Sequence, residues 1–322
     1  MRRAVNLCVI NIVIALWSVL LLACIFGTAV ASQKAVTAAL RITTSSRLPP
    51  AVVGLTVMAI GTDLPEIANS LVSTASGHGD LNVGDSAGSA LTQATLVMAL
   101  LCIFSRGITV DRKFVIGVGV AAFFSCGAVL VMVQDGELGH LDGLLLIALW
   151  LGGSLLLGQQ QMESAVVGSE FTANVATDVL RTLMWLALIG ALAIGIVESF
   201  VRIADTLGIP EFVGSFIVLS IGTSVPELAV DWIAIRRGAS SLAVGDVFGS
   251  SFVDASLSIG IGPAVFGSIV SDEVWIGLVG AAIGVLLAAL LVARSHRYDW
   301  RLGIPLLGVY GTVQILVAIF AG

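Results

Sequence analysis

Gly61-Thr62-Asp63-Leu64-Pro65-Glu66 and Gly222-Thr223-Ser224-Val225-Pro226-Glu227 decide how this chain reads. Each sets a proline and a glutamate in the middle of a long apolar run. A second pair follows in step, Gly84-Asp85-Ser86-Ala87-Gly88-Ser89 and Gly245-Asp246-Val247-Phe248-Gly249-Ser250. Both pairs are offset by 161 residues, half of the 322-residue chain. One GTxxPE would say little. Two composite motifs repeated in register without a gap mark an internal duplication.

The surrounding composition places the duplication in a membrane. The chain is 57% hydrophobic and only 11% charged, with a mean hydropathy of +1.06. A soluble protein is about a quarter charged, and a bilayer-spanning helix needs roughly 20 mostly apolar residues. Apolar runs predict ten spans, at 5–31, 51–76, 81–104, 114–134, 141–158, 180–201, 212–235, 241–268, 273–294 and 303–321. The short connections leave no room for a soluble domain. A net charge of −6 without a basic patch excludes a nucleic-acid binder. Cys8, Cys24, Cys102 and Cys126 fall inside apolar runs without metal-ligand spacing, and read as small buried hydrophobes. His78, His140 and His296 lie far apart and HExxH is absent, so metal-hydrolase chemistry has no footing. The residues suggest neither a bound cofactor nor an obligate protein partner; the lipid bilayer is the partner.

Met1-Arg2-Arg3, an apolar stretch and Ala29-Val30-Ala31 resemble a secretory signal. The apolar stretch is about twice the usual signal core, so it reads as helix one. Basic loops stay in the cytoplasm. One set of loops carries Lys34, Arg41, Arg47, Arg106, Arg112, Lys113, Arg181, Arg236, Arg237, Arg294, Arg297 and Arg301. The other carries only Arg2, Arg3 and Arg202, while Asp135, Glu137, Asp142, Asp272 and Glu273 cluster on that side. Both termini are therefore expected outside the cell.

Each half, 1–160 and 161–322, holds five expected spans. Five is odd, so the second half enters the membrane from the opposite face. That is an inverted repeat, the plan of many secondary transporters, with substrate near the midplane between broken helices. Pro65 and Pro226 lack an N–H and free the carbonyls of Gly61 and Gly222. Freed carbonyls in lipid must find partners or line a polar cavity. Spans two and seven are thus expected to break at the midplane.

Acids and hydroxyls gather at the same depth. Thr62 and Thr223 lie one turn before Glu66 and Glu227. Asp85, Ser89 and Gln93 recur at i, i+4, i+8, as do Asp246, Ser250 and Asp254. A mid-helix acid costs about 2.5–3.5 kcal/mol on insertion scales, so Glu66, Glu227, Asp254 and Asp63 together cost on the order of 10 kcal/mol. No Lys or Arg falls in the middle of a span. Cations or protons must supply the missing charge, and an all-oxygen set suits a hard ion such as Ca²⁺. Other readings stand beside this. Gly84, Gly88, Gly245 and Gly249 suit close helix packing, and Asp85 and Asp246 could be first-turn acids favoured by the helix dipole. Asp231 could face water, pair with Arg236 or serve as a ligand. Glu198 reads as an interfacial acid.

These motifs resemble those of the calcium/cation antiporter superfamily, most closely its prokaryotic sodium/calcium exchangers, whose α-repeats run GTSxPE and GNxxGSN. The specific part of the likeness is 54–93 with 215–254. The resemblance implies a ten-helix all-α inverted-repeat fold and exchange of Ca²⁺ for Na⁺ by alternating access. It implies Glu66 and Glu227 as central Ca²⁺ ligands, assisted by Thr62 and Thr223. Ser89, Ser250 and Ser224, with carbonyls near Ala59 and Ser220, would form flanking Na⁺ sites, and Asp254 holds a position that is acidic in many members. Asp63 departs from the serine of GTS, Gln93 from the usual Asn or Asp, and Asp85 and Asp246 from the GN asparagines. The extra carboxylate at Asp63 keeps a proton-coupled Ca²⁺ antiporter as the alternative. A passive cation channel is a more remote one. An intramembrane aspartyl protease of GxGD type fails on Asn82 and Ala243, where that motif needs glycine.

Single cysteines introduced near 136 and 272 should label from outside intact cells, and one near 238 only after permeabilisation. Outside labelling at 238 would overturn the orientation read from the charges.

Overall fold

Helices whose apolar sides face outward and whose hydroxyls and acids face inward build this protein. The computed structural model describes residues 2–43, 59–104, 108–161, 175–236, 238 and 240–321. Residues 51–58 of the expected second span, including 54–58 of the first motif region, lie outside them, as do Arg47, Arg106 and Arg237. Among the described residues, eight helical stretches are long and apolar enough to cross a bilayer. The chain is an all-α membrane protein.

Helix α1 spans Arg2–Thr43 and passes unbroken through Ala29–Ala31. It overruns the expected end at 31 because 32–43 is rich in Ala, Lys, Gln and Arg, without Gly or Pro. The second stretch is split into α2 (Ala59–Thr62) and α3 (Leu64–Ala75). Next come α4 (Gly79–Thr92), a π-helical turn at Gln93–Val97, and α5 (Met98–Phe104). Helices α6 (Arg112–Met132) and α7 (His140–Gln161) end the first half. Helix α8 (Val175–Leu207) outruns the expected 180–201 and stops at Gly208, which takes φ +65° before Pro210. The seventh stretch runs through α9 (Glu211–Gly214), a π turn at Ser215–Leu219, α10 (Ser220–Thr223) and α11 (Val225–Arg236). The eighth runs through α12 (Ser240–Val253), a π turn at Asp254–Ser258, and α13 (Ile259–Phe266). It ends short of 268 because Gly267 turns at φ +68° into a two-residue strand, Ser268–Ile269. Helices α14 (Val274–Arg294) and α15 (Trp300–Phe320) complete the chain.

The 161-residue offset recurs in these boundaries. It carries α2 onto α10, α3 onto α11, α4 onto α12, and the π turn at Gln93 onto the one at Asp254. Wide π turns, which often mark functional sites, were not legible in the residue pattern. The exterior is apolar, with Phe26, Phe124, Leu141 and Ile319 exposed. Helix α1 exposes most of its apolar window, whereas α4 and α5 are almost wholly enclosed. Helices α1 and α8 pack along each other, α14 along α6, and α13 along α7. Cys24, Cys102 and Cys126 are buried and free; the Cys8 side chain lies outside the description.

The loops gather into two ends. At one, Glu137–Leu138 pairs antiparallel with Ser268–Ile269, an element the sequence did not announce. There the Ser271 N–H donates to Asp80 at 2.7 Å, and His78 Nδ1 lies 2.8 Å from Glu211 Oε1. At the other, Ser240 Oγ accepts from the Thr109 N–H at 3.1 Å, and Arg112 donates to the Ser295 carbonyl at 3.2 Å. The acid-rich loops thus meet at one end and several of the basic ones at the other.

Glycines let α4 cross the seventh stretch at backbone distance. A Cβ on Gly84 would meet Ser215 Oγ and the Phe212 carbonyl, and one on Gly88 would meet the Phe216 carbonyl and Ser220 Cβ. Gly88→Ala should therefore cost about 1–3 kcal/mol of overpacking, seen as a lower unfolding temperature in detergent. Gly127→Ala, where nothing lies within 4 Å, should show no such loss; equal effects would refute the close crossing.

Candidate ion-binding site

The two helix breaks fall at Asp63 and Ser224, residues related by the 161 offset. Asp63 sits at the N-cap of α3 with φ −81° and ψ 8°, Pro65 follows within its first turn, and Ser224 has nearly the same backbone at φ −82° and ψ −1°. Glu66 and Glu227 consequently lie in the first turns of α3 and α11. A helix N-terminus carries partial positive charge and favours a carboxylate there. The residue pattern pointed only to the carbonyls that Pro65 and Pro226 free in the preceding half-helices.

Carboxylate oxygens of Asp63, Glu66 and Glu227 lie within 4.8 Å of one another, and all three residues are buried. The hydroxyls of Thr62 and Ser250 lie beside the Asp63 carboxyl and that of Thr223 beside Glu66, and no buried Lys or Arg among the described residues faces them. Asp254 is within electrostatic range of Asp63, Glu66 and Asp85. Gln93, its repeat partner, has both amide atoms unpartnered. Thr62, Ser89, Thr223, Ser224, Ser220 and Ser250 are all buried around this group. Two contacts join the halves reciprocally: Thr62 Oγ1 with Ser250 Oγ at 3.4 Å, and Thr223 Oγ1 with Ser89 Oγ at 3.2 Å. The offset maps each pair onto the other. Ala59 opens α2. The Ser220 carbonyl accepts from the Ser224 N–H at 3.2 Å and lies 3.3 Å from the Thr223 hydroxyl oxygen.

Three expectations are corrected. Asp85 and Asp246 are not first-turn acids: each is the seventh residue of its helix and is buried. Asp231 neither faces water nor pairs with Arg236; it is fully buried, and the Arg236 guanidinium lies 5.0 Å over the Trp232 ring. Glu198 is exposed and pairs with Arg202 at 2.7 Å, as an interfacial acid would. A residue the sequence reading missed is Asn69, whose Nδ2 donates to Asp85 Oδ2 at 2.6 Å. Thr223 Oγ1 donates to the other oxygen at 3.2 Å. Its only sequence signal was a polar side chain one turn from Pro65 in an apolar run.

Among the described residues seven carboxyl side chains are buried and no Lys or Arg is. An unpaired buried charge is prohibitively costly, so this interior is suited to cations of hard, oxygen-seeking type.

Comparison with known proteins agrees with this chemistry. The family model described as sodium/calcium exchanger protein matches residues 16–157 and again 178–319, once in each half. The chain is 26% identical over 291 residues to CaxA of Alkalimonas amylolytica, covering 84% of this chain and 88% of that one. It is 30% identical over 264 residues to an uncharacterized membrane protein of Methanocaldococcus jannaschii, covering 80% and 84%. Its fold is similar to that of the sodium-calcium exchanger NCX_Mj soaked with Na⁺ and Sr²⁺, with a TM-score of 0.65 and 25% identity over 93% of this chain and 98% of the other.

Removing the amide of Asn69 leaves a buried carboxylate oxygen without its donor, which costs about 1–3 kcal/mol. Asn69→Ala should lower thermal stability by that amount, and pairing it with Asp85→Asn should cost less than the two changes summed. Simple additivity would show that the contact carries no energy.

Proposed function

As a member of the sodium/calcium exchanger family, this chain is an integral-membrane cation antiporter and not an enzyme, and we propose that it exchanges Ca²⁺ for Na⁺ by alternating access. The observation that supports this most is the cluster of Asp63, Glu66 and Glu227, contributed by both halves and without a buried counter-charge among the described residues. In this reading Glu66 and Glu227 are the central Ca²⁺ ligands, with Thr62 and Thr223 beside them. Asp254, Ser89, Ser250, Ser224, Gln93 and the carbonyls of Ala59 and Ser220 hold Na⁺ around that centre. The molecule is ten spans in two inverted five-helix halves, 1–160 and 161–322, in the cell membrane with both termini outside.

Obligate exchange follows from charge. Without ions the cluster would be several like charges within a low-dielectric interior, where each pair repels by about 4 kcal/mol at 4 Å for an effective dielectric constant of 20. The carrier therefore changes its facing only when loaded, with one divalent ion or with several monovalent ones. Because the Na⁺ positions surround the Ca²⁺ centre and draw on the same buried negative charge, the two loads compete, and transport becomes an exchange. Asp63 favours one second reading, in which a proton replaces Na⁺, because its carboxylate joins a centre whose repeat partner offers only a hydroxyl.

Glu66→Gln and Glu227→Gln should each insert and fold but lower Ca²⁺ exchange in proteoliposomes at least about 100-fold, since each removes a unit charge worth about 4 kcal/mol against a monovalent ion at 4 Å. Near-normal exchange by either variant would remove it from the centre. In the parent protein an imposed Na⁺ gradient should drive Ca²⁺ uptake and a pH gradient should not; the reverse would replace Na⁺ by H⁺.

A further inference from the structure

Asp231 lies four residues beyond Glu227 on α11, one helical turn toward Arg236, and Asp246 lies on α12 beside it. Their carboxyl groups are within hydrogen-bond reach of each other. Asp231 is 0% and Asp246 1% exposed. Apart from each other, no donor among the described residues reaches the four oxygens. Two facing carboxyl groups can share one proton, which still leaves a buried negative charge and the other oxygens without a partner, so the space between them suits a cation.

The other half shows what a satisfied version looks like. The repeat partner of Asp246 is Asp85, whose two oxygens accept from Asn69 and Thr223. The partner of Asp231 is Ser70, whose hydroxyl accepts from the Gly262 N–H at 3.1 Å. The partner of Asn69 is Val230, which offers no donor. In the first half both oxygens of the acid are therefore met by protein donors. The second half has replaced an amide by an apolar side chain and a hydroxyl by an acid.

We propose that Asp231 and Asp246 form a second cation site, distinct from the Asp63–Glu66–Glu227 centre and one turn from it, that takes a single Ca²⁺. Two carboxylates neutralise a divalent ion, and oxygen-only ligation matches a hard one. Asp63 is within electrostatic range of both Asp231 and Asp246 as well as of Glu66. It is thus the member of the centre that also senses the pair, and the first of its groups that an ion leaving the pair would meet. Because the first half lacks the pair, this waiting position exists on one side of the centre alone.

The site rests on its own geometry, and the test separates it from the central assignment. Radiocalcium binding would be measured at equilibrium on the purified full chain in nanodiscs, in Na⁺-free buffer. Two Ca²⁺ per chain are expected at saturation. Asp231→Asn, Asp246→Asn and Asp231→Ser should each bind one, the last installing the residue that the other half carries. Glu66→Gln should lose the central ion and keep the second. One Ca²⁺ per parent chain, or two that persist in all three aspartate variants, would overturn the second site. Loss of one ion in the aspartate variants with none lost in Glu66→Gln would keep the second site and sink the central one.

Discussion

Seven carboxyl side chains buried in a membrane protein without one buried Lys or Arg among the described residues are the constraint from which the rest follows. An uncompensated charge in a low-dielectric interior is far costlier than any packing contact. The polypeptide answers with two broken helices whose N-terminal ends carry Glu66 and Glu227, and with hydroxyls on the crossing helices. These devices soften the charge and do not cancel it. The residual negative potential suits the site to hard cations.

Positioning is achieved by symmetry. Thr62 with Ser250, and Thr223 with Ser89, are one contact made twice across the pseudo-two-fold. Each half supplies a broken helix to the other half's crossing helix. Glycines at 84 and 88 bring α4 onto the backbone of the seventh stretch, so the hydroxyls meet without long side chains. The π turns at Gln93 and Asp254 widen the helices where those residues turn inward. Departures from symmetry then stand out as chemistry: Asp63 against Ser224, Asn69 against Val230, and Asp231 against Ser70.

The places where the residue pattern misled are instructive. Asp85 and Asp246 looked like helix-start acids because the apolar runs begin only at 81 and 241, whereas the helices start two residues and one residue earlier, at Gly79 and Ser240. Asp231 looked like a partner for Arg236 on spacing alone. The indole of Trp232 instead takes the guanidinium, and the acid turns into the bundle. Helix α1 outran its hydrophobic window because hydropathy stops at the membrane surface and helix propensity does not.

Membrane residence, the duplication, the helix breaks and the oxygen-only character of the site were all legible in the chain. Hydropathy is a property of each residue, the repeat is a pattern along the sequence, and proline's missing N–H is covalent chemistry. Which oxygens face one another was decided only in three dimensions. The closeness of Asp63, Glu66 and Glu227, the capture of Asp85 by Asn69 and the meeting of Asp231 with Asp246 all depend on the rotation and register of helices distant in sequence. Those are set by glycine-level packing between helices, which no local pattern encodes.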